Sequence, residues 1–159
     1  MNREQRKYFF NRLESTYMKA VNEINKKANE AIEKLEGPNI RIARLMLDPD
    51  IQRRMIQCMA EFFSNKDHQQ DPIRMGVNLD RYYRGLDFML YIPEIREAFE
   101  DHQKEMDSIN ARRNSMSEQL HREQQRIKDN VMFGEDAKEL LNAIQSFSKL
   151  ATELVGRFE

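Results

Sequence analysis

Glu118-Gln119-Leu120-His121 is the first constellation in the chain whose spacing could do chemistry. On a helix, Glu and His three apart share a face. Two such units and two further inward glutamates make a di-iron centre in four-helix bundles. Here there is one unit only. His68 and His102 lack a glutamate three residues earlier, so the motif has no mate. With three His and one Cys in all, no zinc-binding spacing can be assembled either, and no metal or other cofactor is expected.

Nucleophilic chemistry finds no better support. Cys58 sits between Met55 and Met59, a neighbourhood that suits a small buried hydrophobe rather than an activated thiolate. No serine lies in a Gly-x-Ser-x-Gly elbow. The carboxylate pairs Glu100-Asp101 and Glu135-Asp136 fall on polar helical faces, where they read as solvated charge. The five glycines (37, 76, 85, 134 and 156) are too scattered to cradle a phosphate. A non-catalytic protein is expected, with no catalytic residue to nominate.

Basic residues offer a different chemistry. Arg41, Arg44, Arg53 and Arg54 lie close in sequence, and Arg81-Tyr82-Tyr83-Arg84 interleaves base with aromatic. Arg3, Arg6, Lys7 and Arg12 open the chain. Arginine beside tyrosine can hold a phosphate and stack a base, which makes nucleic-acid binding the alternative reading of function. Against it, Leu79, Leu86 and Met89 continue one apolar face with the tyrosines, so Tyr82 and Tyr83 suit a core with arginines extending around it.

The elements that must position these residues are helices. At 159 residues the chain fits a single domain. Its 40% hydrophobic and 33% charged residues, with a mean hydropathy of -0.84, suit helices with much surface for their core. Five Gly and four Pro are too few for the frequent turns of an all-β fold.

Apolar residues recur at Phe10, Leu13, Tyr17, Val21, Ile24, Ala28, Ile32 and Leu35, one helical face held over residues 3–36. Gly37-Pro38 should end it, the glycine as a left-handed cap. Pro38, Asp48-Pro49 and Asp71-Pro72 then open short helices across 38–92, the last of them holding the most aromatic stretch, Tyr82 to Ile92. Met46, Met55, Met59, Met75 and Met89 gather in this third of the chain and suit loose core filling or an adaptable groove.

Pro93 should start a second long helix over 93–133, ended by Gly134, and a final helix over 135–158 carries a wide apolar face from Leu140 to Phe158. The expected architecture is all-α, with two long amphipathic helices, short helices between them, a C-terminal helix, and the character of an elongated bundle or coiled coil.

Steps of four and three from Ile95 pass through Ile95, Phe99, His102, Met106, Ile109, Arg113, Met116, Leu120, Glu123, Ile127 and Asn130. Seven of these eleven are apolar, which is coiled-coil spacing. Six acids against two bases over 94–107, then five bases against two acids over 108–128, take the helix from -4 to +3. Acids early and bases late match the helix dipole. Two antiparallel copies would also pair acidic half with basic half, as a two-fold dimer requires. A homodimer through Ile95, Phe99, Met106, Ile109, Met116, Leu120 and Ile127 is therefore expected, packing of the stripe on Phe10–Leu35 of its own chain being the alternative.

A net charge of -1 gives no overall pull toward nucleic acid or membrane. No apolar run reaches the roughly 20 residues that span a bilayer. Met1-Asn2-Arg3-Glu4-Gln5 lacks a secretion signal's apolar run, and Gly156-Arg157-Phe158-Glu159 carries no lipidation cysteine, so a cytoplasmic location is expected. Brevity and a self-contained start and stop suit a bacterial or bacteriophage accessory protein. Its expected work is that of a regulator, inhibitor or assembly factor binding a protein partner.

Overall fold

A computed structural model describes residues 1–64, 92–130 and 133–158, although not the side chains of Met59 or residues 62–64. Five helices and no strand form among the described residues: α1 (Arg3–Glu33), α2 (Pro38–Leu45), α3 (Pro49–Ser64), α4 (Pro93–Asn130) and α5 (Ala137–Gly156). The fold is all-α, with long helices at α1 and α4. The segment expected to open at Asp71-Pro72, including Tyr82 and Tyr83, lies outside the described residues, as do Met75 and Met89.

Local chemistry sets the helix ends. Asn2 accepts a hydrogen bond from the Gln5 amide at 2.8 Å while the Gln5 side chain accepts one from the Asn2 amide, a reciprocal cap that satisfies two otherwise orphaned donors. Asp48 accepts from the Asp50 amide at 2.9 Å at the start of α3. Asp136 accepts from the amides of Lys138 and Glu139 at the start of α5.

One end differs from expectation. Gly37 is not a left-handed cap, since α1 stops at Glu33 with Lys34 in right-handed geometry. Gly37 instead has φ -62° and ψ 155° and serves as the N-cap of α2. Pro38 imposes this, because the residue before a proline is driven to extended backbone.

The chain divides into two compact units, residues 1–34 with 106–159, and residues 35–105. Thus α4 contributes residues 93–105 to the second and 106–130 to the first. In the first unit, side-chain contacts fix the helix directions. Tyr17 faces His121, and Glu14 takes a hydrogen bond from Gln124, so α1 and α4 run antiparallel. Arg112 donates to the Arg157 carbonyl at 2.6 Å and lies over the Phe158 ring, so α4 and α5 are also antiparallel. The result is an up-down-up three-helix bundle.

Its core contains Leu13, Ala20, Ile24 and Ala28 of α1, Leu120 and Ile127 of α4, Leu140, Ile144, Phe147, Ala151 and Leu154 of α5, and Phe158 just beyond α5. Among the described residues, α1 and α5 approach each other most closely. Ala20, Ala28 and Ala151 permit this, since small side chains let helix backbones draw together. At the C-terminal end of α5, Lys27 donates to the Val155 carbonyl at 3.1 Å, and Arg112 reaches the next turn. Cations from both other helices thus reach carbonyls at the end of α5, where the helix dipole favours positive charge. The Val155 carbonyl also accepts from the Phe158 amide at 3.3 Å.

The second unit has a smaller core of Ile51, Ile92 and Ile95, flanked by Ile42, Leu45, Met46, Met55 and Cys58. Here Met46 and Met55 are core filling, and Cys58 is half-buried beside them.

Ile24 has no solvent exposure, so Ile24→Ala should lower the stability of the bundle by about 2–5 kcal/mol through lost burial and a cavity. Asn22→Ala, on the exposed side of the same helix, should stay within about 0.5 kcal/mol. Urea unfolding followed by circular dichroism measures both.

Candidate functional site

The stripe expected to join two copies is turned largely inward within the chain. Leu120 and Ile127 have no exposure and belong to the bundle core, with Ile109 and Met116 packed against it. Ile95 is fully buried in the core of the second unit. Met106 is half-buried, and Phe99 remains 38% exposed. Five of the seven apolar positions thus pack against other elements of the same chain.

The register also differs from the expected one. Glu123 was the expected inward position, but Gln124 is the buried residue, at 2% exposure. A straight α-helix drifts about 20° per heptad from a strict 3.5-residue repeat, so the inward position has advanced by one. Gln124 Nε2 donates to Glu14 Oε1 at 2.9 Å, and Lys128 pairs with the same carboxylate. Lys128 also lies 5.1 Å from the centre of the Phe10 ring. This arrangement satisfies a buried amide and ties α1 to α4. Sequence periodicity could not reveal it, because its partners are 110 residues apart.

Glu123 instead faces Arg126, whose guanidinium holds its carboxyl below the usual carboxylate range. Glu118, of the Glu-x-x-His unit, pairs with Arg122 at 3.1 Å, while His121 is exposed beside the Tyr17 ring. Among the described residues, no three His, Cys, Asp or Glu side chains gather as metal ligands.

The arginines nominated for nucleic acid are already engaged by carboxylates. Arg54 grips Glu94 through both terminal nitrogens, at 2.6 and 3.0 Å, and stands 3.1 Å from Asp50. Arg41 spans both oxygens of Glu105 at 3.0 Å. Arg44 pairs with Glu36 at 2.7 Å, and Arg53 with Asp50. Four bases that looked like a patch in sequence are therefore the cationic halves of ion pairs, with α4 supplying two of the acids. Arg81 and Arg84 lie outside the described residues.

Large apolar side chains also reach solvent, among them Tyr8 at 60% exposure, Leu47 at 80%, Ile56 at 60% and Phe133 at 76%. Among the described residues, no helix is long and apolar enough to cross a membrane. No protein-family model, curated protein or solved structure matches the chain.

The pairs around Arg54 have a consequence for pH. Hydrogen bonds from Arg53 to Asp50 and from Arg54 to Glu94 lead in holding both carboxyls below their ordinary values. The charged carboxylates favour the folded state, so their contribution is complete at neutral pH. It is lost as acid protonates them, below about pH 4. In Arg54→Met, a carboxyl NMR titration should show Glu94 moving up toward the ordinary glutamate value, with less acid dependence of unfolding. An unchanged Glu94 midpoint would contradict the pairing.

Proposed function

We propose that this chain is a non-catalytic helical protein that acts by binding another macromolecule, in the manner of a regulator, inhibitor or assembly factor. One observation carries the reading: apolar side chains occupy the interior of the bundle, and the polar chemistry is carried on the outer faces of its helices. Leu13, Ile24, Leu120, Ile127, Leu140, Ile144 and Phe147 fill the middle, and the buried Gln124 is spent on Glu14. Catalysis calls for ionisable groups set apart by their surroundings and a sheltered place for substrate. Here each described group with a displaced pKa belongs to an arginine–carboxylate pair (Arg41, Asp50, Arg54, Glu94, Glu123 and Arg126). Among the described residues, displaced pKa values of this kind come from ion pairing on the surface, which has a structural origin.

The self-pairing expected from the α4 stripe is not part of this proposal. A second copy would have to displace α1 and α5 from Leu120 and Ile127, exchanging one buried apolar surface for another. Recognition falls instead to residues that the cores leave outside.

Photocrosslinking tests this directly. A benzophenone amino acid placed at Tyr8, Leu47, Ile56 or Phe133, in cells that produce the protein, should give a discrete adduct with another macromolecule from at least one position. Absence of any adduct from all four sites, with the protein folded and expressed, would contradict the proposal.

A further inference from the structure

Along the outer side of α1 runs a row of residues spaced four, three, four, three, four and three apart: Tyr8, Arg12, Ser15, Lys19, Asn22, Lys26 and Asn29. That spacing keeps them on one helical face over roughly 32 Å. All seven are exposed, and the face is opposite the buried Leu13, Ala20, Ile24 and Ala28. No acid stands within the row, although Glu23 and Glu30 flank it on one side and Glu4 and Glu33 stand one turn beyond its two ends on the same face. The side chains of Arg12, Lys19 and Lys26 have no ion-pair or hydrogen-bond partner among the described residues, in contrast to Arg41, Arg44, Arg53 and Arg54.

We infer that this row is a contact surface for the sugar–phosphate backbone of a nucleic acid, an inference that rests on the reading of the chain as a macromolecule-binding protein. Three features select this partner. Every member is a residue type that contacts phosphate: arginine and lysine by charge, and serine, asparagine and tyrosine by donated hydrogen bonds. The three cations recur every seven residues, about 10 Å apart on a rigid rod, a layout suited to a long, regularly charged polyanion. A protein-docking face would instead present apolar anchors at its centre, whereas the row's one aromatic, Tyr8, lies at its end. Nothing in the row is arranged to read bases, so binding is expected to be indifferent to sequence.

The test is fluorescence anisotropy with labelled 20-nucleotide probes (duplex DNA, single-stranded DNA and single-stranded RNA) and the full chain at 50 and 200 mM NaCl. Engagement of three phosphates should weaken duplex binding about 40-fold over that interval and single-strand binding about 20-fold, so the arms identify which form is bound. The triple variant Arg12→Glu, Lys19→Glu, Lys26→Glu should lose binding while keeping the wild-type circular dichroism and urea midpoint. Arg44→Glu should bind as wild type, and Glu23→Gln should bind more tightly.

Absence of binding at 50 mM NaCl, or binding that survives the triple reversal, overturns the inference. So does competition by polyglutamate as effective as that by unlabelled nucleic acid, which would point to an acidic protein surface as the partner. A photocrosslinked protein adduct at any of the four positions without nucleic-acid binding would remove this inference and leave the broader proposal intact; absence of nucleic-acid binding and of an adduct at all four would remove the two together.

Discussion

The close approach of α1 to α5 is the constraint on which the rest of the bundle depends. It is set by alanine as much as by the larger aliphatic side chains. Ala20, Ala28 and Ala151 let the two backbones draw together, and Leu13, Ile24, Ile144 and Phe147 fill the space that remains. The antiparallel run of α4 residues 106–130 lays Leu120 and Ile127 over this pair. Once the inner face of α1 is committed in this way, its opposite face must point to water. The exposed row from Tyr8 to Asn29 is therefore a consequence of packing, since helical spacing that buries one face exposes the one opposite.

Electrostatics adds a second division of labour. In the unit formed by residues 35–105, Arg41 and Arg54 are held by Glu105 and Glu94 of α4, both in the acidic part of that helix. In the bundle, Lys128 is drawn to Glu14, while Arg122 and Arg126 pair within α4. The charge gradient of α4 is thus spent largely inside the molecule. Most of these pairs are solvent-exposed and individually worth little. Among the described residues, the cations of the outer α1 row have no such partner.

Much of the fold was legible in the sequence because helices announce themselves by period and punctuation. Leu13, Ile24 and Ala28 in α1 and Leu140, Ile144, Phe147 and Leu154 in α5 are core residues that the apolar spacing had marked. Pro38, Pro49 and Pro93 open helices as their backbone geometry requires. What the spacing could not supply was the identity of each face's neighbour. The α4 stripe served equally well for pairing between copies or within one, and Glu14, the partner of the buried Gln124, lies far away in the chain. The candidate site was less legible still. Arg41 to Arg54 looked like a basic patch because their acids, Glu94 and Glu105, lie 40 and 64 residues distant. The α1 row had been hidden beneath the more conspicuous apolar periodicity of the same helix.

Native-state hydrogen exchange at two protein concentrations addresses the central claim, that α4 packs on α1 and α5 of its own chain and so leaves the outer faces for recognition. Amides around Leu13–Ala28, Met116–Ile127 and Leu140–Leu154 should share one slow exchange rate that does not change on hundredfold dilution. Protection of Met116–Ile127 that falls with dilution, while that of α1 and α5 persists, would show the stripe pairing between molecules and would contradict the account.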